Sequence, residues 1–531
     1  MKAITALIEN EALLDEGVQQ DIHRRLAAVP VEESPLVGSG PVQFYLRSIH
    51  WYNGVLYGIA RYSADVNSEM VSAGARVLFC ASRDRPRSDA LGNLRLAYRS
   101  DSTPWIATAE PTFENAHALH ELFPWTKPIS LRERRTTIGM GDRLGIATPG
   151  HIRAIRRFHA SPVFAQQSIR ENTFTGRTFD DVVAAVTWSV FQEGYHDGYG
   201  ADGDHLKDVA SIDTAIAASM PMITLDLTEV MRPELADYTD DEIESEFQKL
   251  DPHVRSRVEA EYVDQRYTID EVEVPFTEVE AKRCAVMYDA AIALCRRVND
   301  HLDQRTGGTY DLEISIDETT TPTLPAHHLF IARELQHRGV AVNSIAPRFV
   351  GEFQKAIDYV GKIPEFTEQF ALHCRIAETY GGYKLSVHSG SDKFTVFPVI
   401  GRETGLRLHL KTSGTSWLEA LRTIARYEPP LYRDIHRFVL TYYPTALSYY
   451  HISADFDAIE PLDTVSDDRL PSYLDDENAR QMLHISYGGI FGNDELRRRL
   501  YTALHRFEEE YASALHRHFE KHLLALGVPR R

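Results

Sequence analysis

The sequence predicts an α/β protein built on a (β/α)8 barrel of the TIM type, with an N-terminal extension, a long acidic insertion and a C-terminal helical appendage. Between about residues 134 and 426, short β-rich runs alternate with helical patterns, and eight such runs can be counted. The last two runs place a histidine on the polar side of an apolar alternation, as strands do where a barrel opens to its substrate. We therefore assign residues 131–430 to the barrel, with residues 1–130 and 431–531 outside it.

The N-terminal region, residues 1–130, is rich in aromatic residues and turn signals. This pattern predicts short strands, such as Gln43–Leu46 and Val77–Cys80. The region contains no motif that indicates a function.

The strand pattern is clearest in the seventh run, where Leu385 and Val387 face one side while Ser386 and His388 face the other. The eight predicted barrel strands are Thr136–Gly139, Pro162–Gln166, Tyr199–Gly203, Met222–Leu227, Asp311–Asp317, Val340–Ala346, Lys384–His388 and Leu406–Lys411.

Helix signals occupy the segments between these strands. A Thr-x-x-Asp pattern that begins at Thr178 resembles a capping box. Pro325 is expected to begin another helix, which Gly339 would end, and a Ser-x-x-Glu pattern at Ser416 is expected to cap the last barrel helix. Eight strand-then-helix units favour a closed barrel over other α/β folds.

Two departures keep a doubly wound sheet open as an alternative. The spacer of residues 390–405 is too short for a full helix, and residues 228–308 form an acidic insertion between strands four and five that could act as a lid or a subunit contact. Beyond residue 430 the pattern predicts one long amphipathic helix with an apolar stripe from Leu496 to Phe519.

Composition narrows the class of protein. The 57 basic and 77 acidic side chains give a net charge of −20, which disfavours nucleic acid and anionic membranes as partners. No apolar run approaches the roughly 18 residues that span a bilayer, so we expect a soluble, cytoplasmic protein. Four cysteines without CxxC spacing predict reduced thiols: Cys80, Cys284, Cys295 and Cys374.

The predicted active site lies where the carboxyl ends of the strands converge, because barrel enzymes place their reactive groups there. His205, His388 and His409 are predicted to bind a divalent cation such as zinc, manganese, nickel or cobalt. Asp204 and Glu318 are the candidate catalytic base and acid. Five other histidines are predicted to lie on the surface: His327, His328, His516, His518 and His522.

The remaining polar residues at the strand ends are candidates for substrate binding. Their cationic members form a positive rim in an acidic protein, which favours an anionic substrate such as a sugar acid or a sugar phosphate. The candidates are Asp142, Arg143, Gln166, Gln167, Arg170, Lys207, Arg348, Glu352, Ser389, Asp392, Lys393 and Lys411.

A glycine-rich run, Gly139-x-Gly141-x-x-x-Gly145, follows the first predicted strand and raises the alternative of nicotinamide binding. Its third glycine lies one position late, and no acidic residue follows a second strand about 20 residues on, where a ribose partner is expected. The glycines are better explained as room for the backbone to turn at the barrel mouth.

Several long runs together resemble the tagaturonate epimerases over roughly residues 135–490. The resemblance implies a metal-dependent enzyme that interconverts D-tagaturonate and D-fructuronate by inverting one hydroxyl-bearing carbon. The runs that carry it are Gly139–His151, Phe164–Glu171, Gly200–Lys207, Ala346–Phe353, Lys384–Phe394 and His409–Ala420.

The carbon to be inverted lies two bonds from the ketone, so simple enolisation cannot reach its hydrogen. Retro-aldol cleavage and re-addition is the favoured route, with a divalent cation as Lewis acid. The open alternatives are transient oxidation with bound nicotinamide and a non-catalytic sugar-binding barrel. Neutral tagatose or fructose as substrates and a homo-oligomeric assembly are also compatible with the sequence.

Overall fold

In the N-terminal region of the computed structural model, the described strands form an antiparallel sheet. The structure describes residues 24, 26, 28–30, 36–37, 42–62, 75–100, 104–319 and 321–531. Both short strands predicted here belong to this sheet. Its strands are β1 (Leu36–Val37), β2 (Val42–Tyr45), β3 (His50–Tyr52), β4 (Val55–Tyr62), β5 (Arg76–Ser82), β6 (Leu96–Arg99) and β7 (Trp105–Ala109). They lie in the order β1-β2-β4-β5-β7-β6, with β3 paired to β4.

The centre of the molecule is a closed barrel of eight parallel strands, as the sequence predicts. Closure rules out the doubly wound alternative, because the last strand pairs with the first through Leu408↔Thr136 to Thr412↔Met140. The barrel strands are β8 (Thr136–Met140), β9 (Ser161–Ser168), β10 (Gly200–Leu206), β11 (Met222–Asp226), β14 (Asp311–Ile316), β15 (Ser344–Pro347), β16 (Lys384–Val387) and β17 (Leu408–Thr412).

Each predicted barrel strand overlaps an observed one, and the differences lie at the ends. The sixth strand begins at Ser344 rather than Val340, since residues 340–343 form an irregular connection after the turn that ends the preceding helix. The third strand extends to Leu206 through a register shift after Gly203. That extension places Asp204 and His205 within the strand rather than after it.

Helices surround the barrel and build the C-terminal region. They are α1 (Phe113–Leu122), α2 (Thr148–Ile155), α3 (Ile169–Thr175), α4 (Phe179–Glu193), α5 (Val209–Ala217), α6 (Asp240–Phe247), α7 (Pro252–Glu261), α8 (Glu278–Thr306), α9 (Pro325–His337), α10 (Ile363–Thr379), α11 (Phe397–Glu403), α12 (Gly414–Tyr427), α13 (Pro429–Ala446), α14 (Glu477–Ile485), α15 (Tyr487–Gly492), α16 (Asp494–Arg506) and α17 (Glu508–Ala525).

The helix signals are mostly confirmed. Thr178 and Asp181 form a reciprocal capping box at the start of α4, and α9 begins at Pro325, with Gly339 two residues beyond its last residue at a φ of +65°. The expected cap at Ser416 is wrong by three residues, because the N-cap is Ser413. Ser416 instead lies inside α12, where its hydroxyl is 2.9 Å from His151 Nε2.

Two further expectations change in detail. The predicted C-terminal helix is two helices, α16 and α17, separated by Phe507 in a non-helical conformation. The insertion of residues 228–308 contains α6, α7 and a two-stranded hairpin, β12 (Arg266–Ile269) with β13 (Val272–Pro275). Its last part, α8, packs against α9 on the outside of the barrel and so serves as a regular barrel helix.

Apolar side chains fill the space between strands and helices, whereas the barrel interior is polar. Lys384, Ser386, His409 and Lys411 are all buried there. Buried charges need partners, so this interior indicates a built site rather than a simple packed core. The four cysteines are free thiols, and three of them are buried, as expected. No helix in the described part of the chain has the length and apolar character needed to span a bilayer.

Candidate active site

The carboxyl ends of the barrel strands open into a cleft of about 380 Å³. Most of the site residues predicted from the sequence line it. They are Gln166, Arg170, Asp204, His205, Lys207, Glu318, His388, Ser389 and Lys411. A second cleft of about 680 Å³ adjoins the first, and Arg348 and Glu352 line that one.

Two of the predicted histidines meet in the cleft. The ring centroids of His205 and His388 are 5.0 Å apart, and Asp317 completes a group whose ligand atoms all lie within 4.8 Å of one another. His205 has a φ of +57°, at the register shift in β10. A bulge of this kind redirects a side chain at the end of a strand, and here it allows neighbouring residues, Asp204 and His205, to share one site.

His409 does not join this group, contrary to the expectation that three histidines share one centre. It pairs with Ser386 and Thr137 across the sheet, two residues before Lys411 on the same strand, and so occupies a deeper layer of the barrel. Its Nδ1 lies 2.9 Å from Thr137 Oγ1, while Nε2 has no hydrogen-bond partner in the described ranges. Burial lowers the pKa of His409 to about 3, so its imidazole is neutral.

Carboxylates orient the two histidines of the group. Glu313 accepts a hydrogen bond from His388 Nε2 at 2.7 Å, and Asp204 Oδ1 lies 2.9 Å from His205 Nδ1. His388 Nδ1 lies 3.0 Å from Asp317 Oδ1 but makes no hydrogen bond of good geometry within the part of the chain that the structure describes. Each imidazole therefore has one nitrogen held by a carboxylate and the other directed toward the group.

Charges in the group shift its acid–base properties. Burial lowers the pKa of His388, but Asp317 outweighs this and raises it to about 10. The pKa of Asp317 is lowered, because His388 and His205 outweigh the effect of burial. Without another cation, the imidazole of His388 is protonated, and any cation bound there would replace that proton.

Lys411 forms the charged centre of the barrel interior rather than a free substrate contact. Its Nζ lies 2.8 Å from Asp202 Oδ2, 2.6 Å from Asp204 Oδ1 and 2.9 Å from Glu313 Oε1. Burial lowers the pKa of Lys411, but these carboxylates raise it well above its usual value. The same contact keeps Asp204 ionised, because Lys411 and His205 outweigh burial and hold the pKa of Asp204 well below its usual value.

Several other predicted cations are also engaged by protein groups. Arg143 is buried against Glu171 at 2.7 Å and over the ring of Tyr487. Lys207 pairs with Glu229 at 2.9 Å. Their charges are therefore already compensated within the protein.

Two cations at the cleft have no such carboxylate partner among the described residues. Arg170 lies over the ring of Tyr450, 5.3 Å from its centroid. Lys355, which is outside the predicted substrate set, donates to Ser389 Oγ at 2.8 Å and lines both clefts. Burial lowers the pKa of Lys355.

The structure places four other predicted substrate residues outside both clefts. The Asp142 carboxylate accepts backbone N–H groups from Leu144, Gly145 and Ala147, and Gln167 Nε2 donates to Thr175. Asp392 pairs with Arg480, and Lys393 donates to three backbone carbonyls. Arg348 reaches the second cleft but pairs with Glu352 at 3.4 Å.

The expectation that the remaining histidines lie on the surface is wrong for four of the five. His328 and His522 are fully buried, and His327 and His516 nearly so. Each of their helices packs a histidine against a neighbouring element, as His328 does through a 2.9 Å contact with His373. The local sequence does not predict this burial, because the residues that pack against these histidines come from distant parts of the chain.

Comparison with known proteins gives one consistent result. A family model described as tagaturonate epimerase matches residues 70–526. The tagaturonate/fructuronate epimerase of Thermotoga maritima is 38% identical over 414 residues, which cover 78% of this chain and 85% of that protein. The native crystal structure of the fructuronate-tagaturonate epimerase of Cohnella laeviribosi has 39% sequence identity and a TM-score of 0.85, covering 96% of this chain and 99% of that one. A glycerol complex of the Cohnella enzyme matches with the same values.

Proposed function

Because the chain belongs to the tagaturonate epimerase family, we propose that it interconverts D-tagaturonate and D-fructuronate by inverting the hydroxyl-bearing carbon two bonds from the ketone. The observation that carries the proposal is the group of His205, Asp317 and His388 at the mouth of the barrel, beside Asp204 and Lys355. The direct test is to incubate the purified protein with each ketouronate and follow the other by NMR. Saturable binding without turnover would favour a sugar-binding protein instead.

We propose that a divalent cation, such as zinc, manganese, nickel or cobalt, binds to His205, Asp317 and His388. Two imidazoles and one carboxylate are a donor set that these ions favour. The buried Nδ1 of His388, which has no hydrogen-bond partner among the described residues, fits this role, and Glu313 and Asp204 hold the opposite ring nitrogens. A cation held there would act as a Lewis acid that stabilises negative charge on substrate oxygens.

Asp204 is the base in this proposal. It is ionised, and both His205 and Lys411 contact it through Oδ1, while Oδ2 has no hydrogen bond in the described part of the chain. Asp204 accepts the proton of the hydroxyl on the carbon to be inverted, and the bond from that carbon to the one beside the ketone breaks. The bonding electron pair passes to the ketone side as an enediolate, and the oxygen that lost its proton becomes an aldehyde.

Inversion then requires the aldehyde to rotate and expose its other face. The enediolate carbon attacks that face, the carbon–carbon bond forms again, and the new alkoxide takes back a proton. Glu318 is the proposed acid for this step. Its side chain is 43% exposed at the cleft, with Oε1 at 3.8 Å from His205 Nε2. The site must exclude water and retain both fragments, because escape of the fragments would give cleavage rather than epimerisation.

Arg170 and Lys355 are the proposed partners of the substrate carboxylate. They are the cleft cations that lack a carboxylate within ion-pair distance in the described part of the chain, whereas Arg143, Lys207 and Lys411 each have one. A guanidinium and an ammonium can together bind a carboxylate through charge-assisted hydrogen bonds. Such a contact would also favour ketouronates over neutral tagatose or fructose.

Substrate deuterated at the inverted carbon separates the proposed route from oxidation by bound nicotinamide. In the retro-aldol route the carbon–deuterium bond is never broken, so the label stays and no primary isotope effect appears. Oxidation would pass the deuterium to the cofactor, give a primary isotope effect, and leave nicotinamide absorbance in the purified protein. Release of dihydroxyacetone at a low rate would further support carbon–carbon cleavage.

A further inference from the structure

The segment that follows β16 carries His388 and Ser389 into the cleft and is held from behind by the C-terminal helices. Asp392 anchors this segment: its Oδ2 lies 2.7 Å from Arg480 on α14, and its Oδ1 lies 2.7 Å from His518 Nε2 on α17. The backbone N–H of Asp392 donates to His522 Nε2 at 3.0 Å. Neither Asp392 nor these partners line the cleft.

The group of Asp392, His518 and His522 has ligand atoms close enough for a cation to bridge them. Their lone pairs are nevertheless already used. His522 accepts the Asp392 N–H through Nε2 and donates to the His518 carbonyl through Nδ1, at 3.0 Å. The Arg480 guanidinium occupies the other carboxylate oxygen and would repel a metal ion. We therefore describe Asp392, Arg480, His518 and His522 as an ionic anchor, a set of contacts that fixes the segment after β16, rather than as a metal site.

Arg480 also reaches the loop that follows β15, which carries Lys355. Its Nε donates to the carbonyl of Ala356 at 2.8 Å, and its Nη1 donates to the carbonyl of Leu474 at 2.7 Å. One buried guanidinium thus joins two active-site loops to the C-terminal region. Lys393 joins the same two loops, through the carbonyls of Gln354, Ile357 and Ser391.

The backbone of both loops requires this support. Ala356, Ser389 and Asp392 have φ values of +66°, +49° and +62°, in the left-handed region that residues with a side chain rarely adopt. Such conformations persist only where surrounding contacts hold them, and they are common beside active sites. Each of these residues is adjacent to a cleft residue or makes an anchor contact.

We infer that Arg480 is a positioning residue, which through Asp392 and Ala356 sets the distance between the loop of His388 and Ser389 and the loop of Lys355. The inference rests on the proposed function, in which His388 binds the cation and Lys355 binds the substrate carboxylate. Arg480 itself touches neither substrate nor cation. Its role is to keep the two groups at a fixed separation across the cleft.

The test compares Arg480→Gln with Arg422→Gln. Arg422 donates to the same Leu474 carbonyl at 2.8 Å and pairs with Asp475 and Glu419, but contacts neither loop. We expect Arg480→Gln to lower kcat/KM for the ketouronate by about tenfold to a hundredfold. Arg422→Gln is expected to keep kcat/KM within about twofold of the wild-type value, even if its thermal unfolding midpoint falls as much as that of Arg480→Gln. Equal losses in the two variants, or an unchanged rate in Arg480→Gln, would overturn the inference.

A double-mutant cycle supplies the second readout. Because Asp392 is proposed to transmit the effect, Asp392→Asn combined with Arg480→Gln is expected to lower kcat/KM no further than the stronger single change does. Fully multiplicative losses would contradict a shared path. Since either change could also reduce folding, the thermal midpoint of each variant is measured beside its rate.

Hydrogen exchange gives a readout that does not depend on activity. Arg480→Gln is expected to speed amide exchange in residues 354–357 and 388–394, whereas Arg422→Gln leaves both segments protected. If wild-type protein failed to epimerise either ketouronate, the proposed function would be lost, and exchange would still decide whether Arg480 holds the two loops. Unchanged exchange in Arg480→Gln would refute the positioning role directly.

Discussion

Glu313 Oε1 lies 2.7 Å from His388 Nε2 and 2.9 Å from the ammonium of Lys411. The Glu313 carboxylate thus determines which imidazole nitrogen of His388 faces the cleft, and the charge of Lys411 keeps that carboxylate ionised. Burial alone would raise the pKa of Glu313, but Lys411 and His388 hold it well below its usual value. The deep polar layer of the barrel therefore orients the group above it.

Glu313→Gln tests this orientation. An amide can accept the same hydrogen bond but carries no charge, and its NH2 group can turn toward His388 and reverse the preferred tautomer. We expect metal affinity or activity to fall about 10- to 100-fold, as is typical when a carboxylate behind a metal-binding histidine is replaced. Metal content is measured by elemental analysis after dialysis against buffered zinc. Wild-type affinity in the variant would contradict an orienting role for Glu313.

Removal of divalent cations tests the proposed metal. Dialysis against excess chelator is expected to abolish turnover, and zinc, manganese, nickel or cobalt should restore it to different extents. His388→Ala should lose bound metal and stay inactive when metal is added back. Full activity in excess chelator would rule out any required cation, provided that elemental analysis finds no metal in the treated protein.

Lys355→Met tests the carboxylate contact. The change keeps most of the side-chain length but removes the charge, and a hydrogen bond to a charged group contributes about 1.5–3 kcal/mol. We expect KM for the ketouronates to rise by about tenfold or more, with little change for neutral tagatose. Lys362→Met, an exposed lysine farther along the same loop, is the matched control. Equal effects on charged and neutral sugars would place the carboxylate elsewhere.

The fold could be predicted because its signals are local. Each barrel strand is a short apolar run between helix signals, and the register follows once eight of them close, as β17 does against β8. The proximity of His205 and His388 could also be predicted, because the carboxyl ends of parallel strands converge at one end of a barrel. Which strand ends lie beside one another in space follows from the barrel topology alone.

The rest of the site depends on depth and on distant partners. His409 and His388 both point inward, and only the register between β16 and β17, which pairs His409 with Ser386, shows that His409 lies a layer deeper than His388. Asp317 and Glu318 are chemically equivalent in the sequence, and the path of the chain after β14 turns Asp317 to the histidines. Asp392 looked like a substrate contact because its partner, Arg480, lies 88 residues away.

Glu508 on α17 is expected to make the free energy of unfolding depend on pH in the acid range. Its carboxylate lies 3.0 Å from Arg61 and 2.9 Å from Arg76, and it accepts a hydrogen bond from Tyr45, so it joins the N-terminal sheet to the C-terminal helix. Burial raises its pKa, but Arg76 and Arg61 outweigh this and lower it to about 2, against a usual value of 4.5. A pKa lowered by folding adds stability that is complete above pH 4.5 and is lost as the pH falls toward 2, about 3 kcal/mol in all.

Glu508→Gln should remove this contribution and leave two largely buried guanidinium groups, those of Arg61 and Arg76, without this counter-charge. We expect the free energy of unfolding at pH 7 to fall by about 3–5 kcal/mol, as when one partner of a buried ion pair is removed. Because protonation already weakens the wild-type contact at low pH, the difference between the two proteins should shrink by about 2 kcal/mol between pH 7 and pH 3. Urea unfolding at both pH values measures it, with Glu510→Gln as a control on the same helix. A difference that is constant with pH would show that Glu508 contributes through packing rather than through its charge.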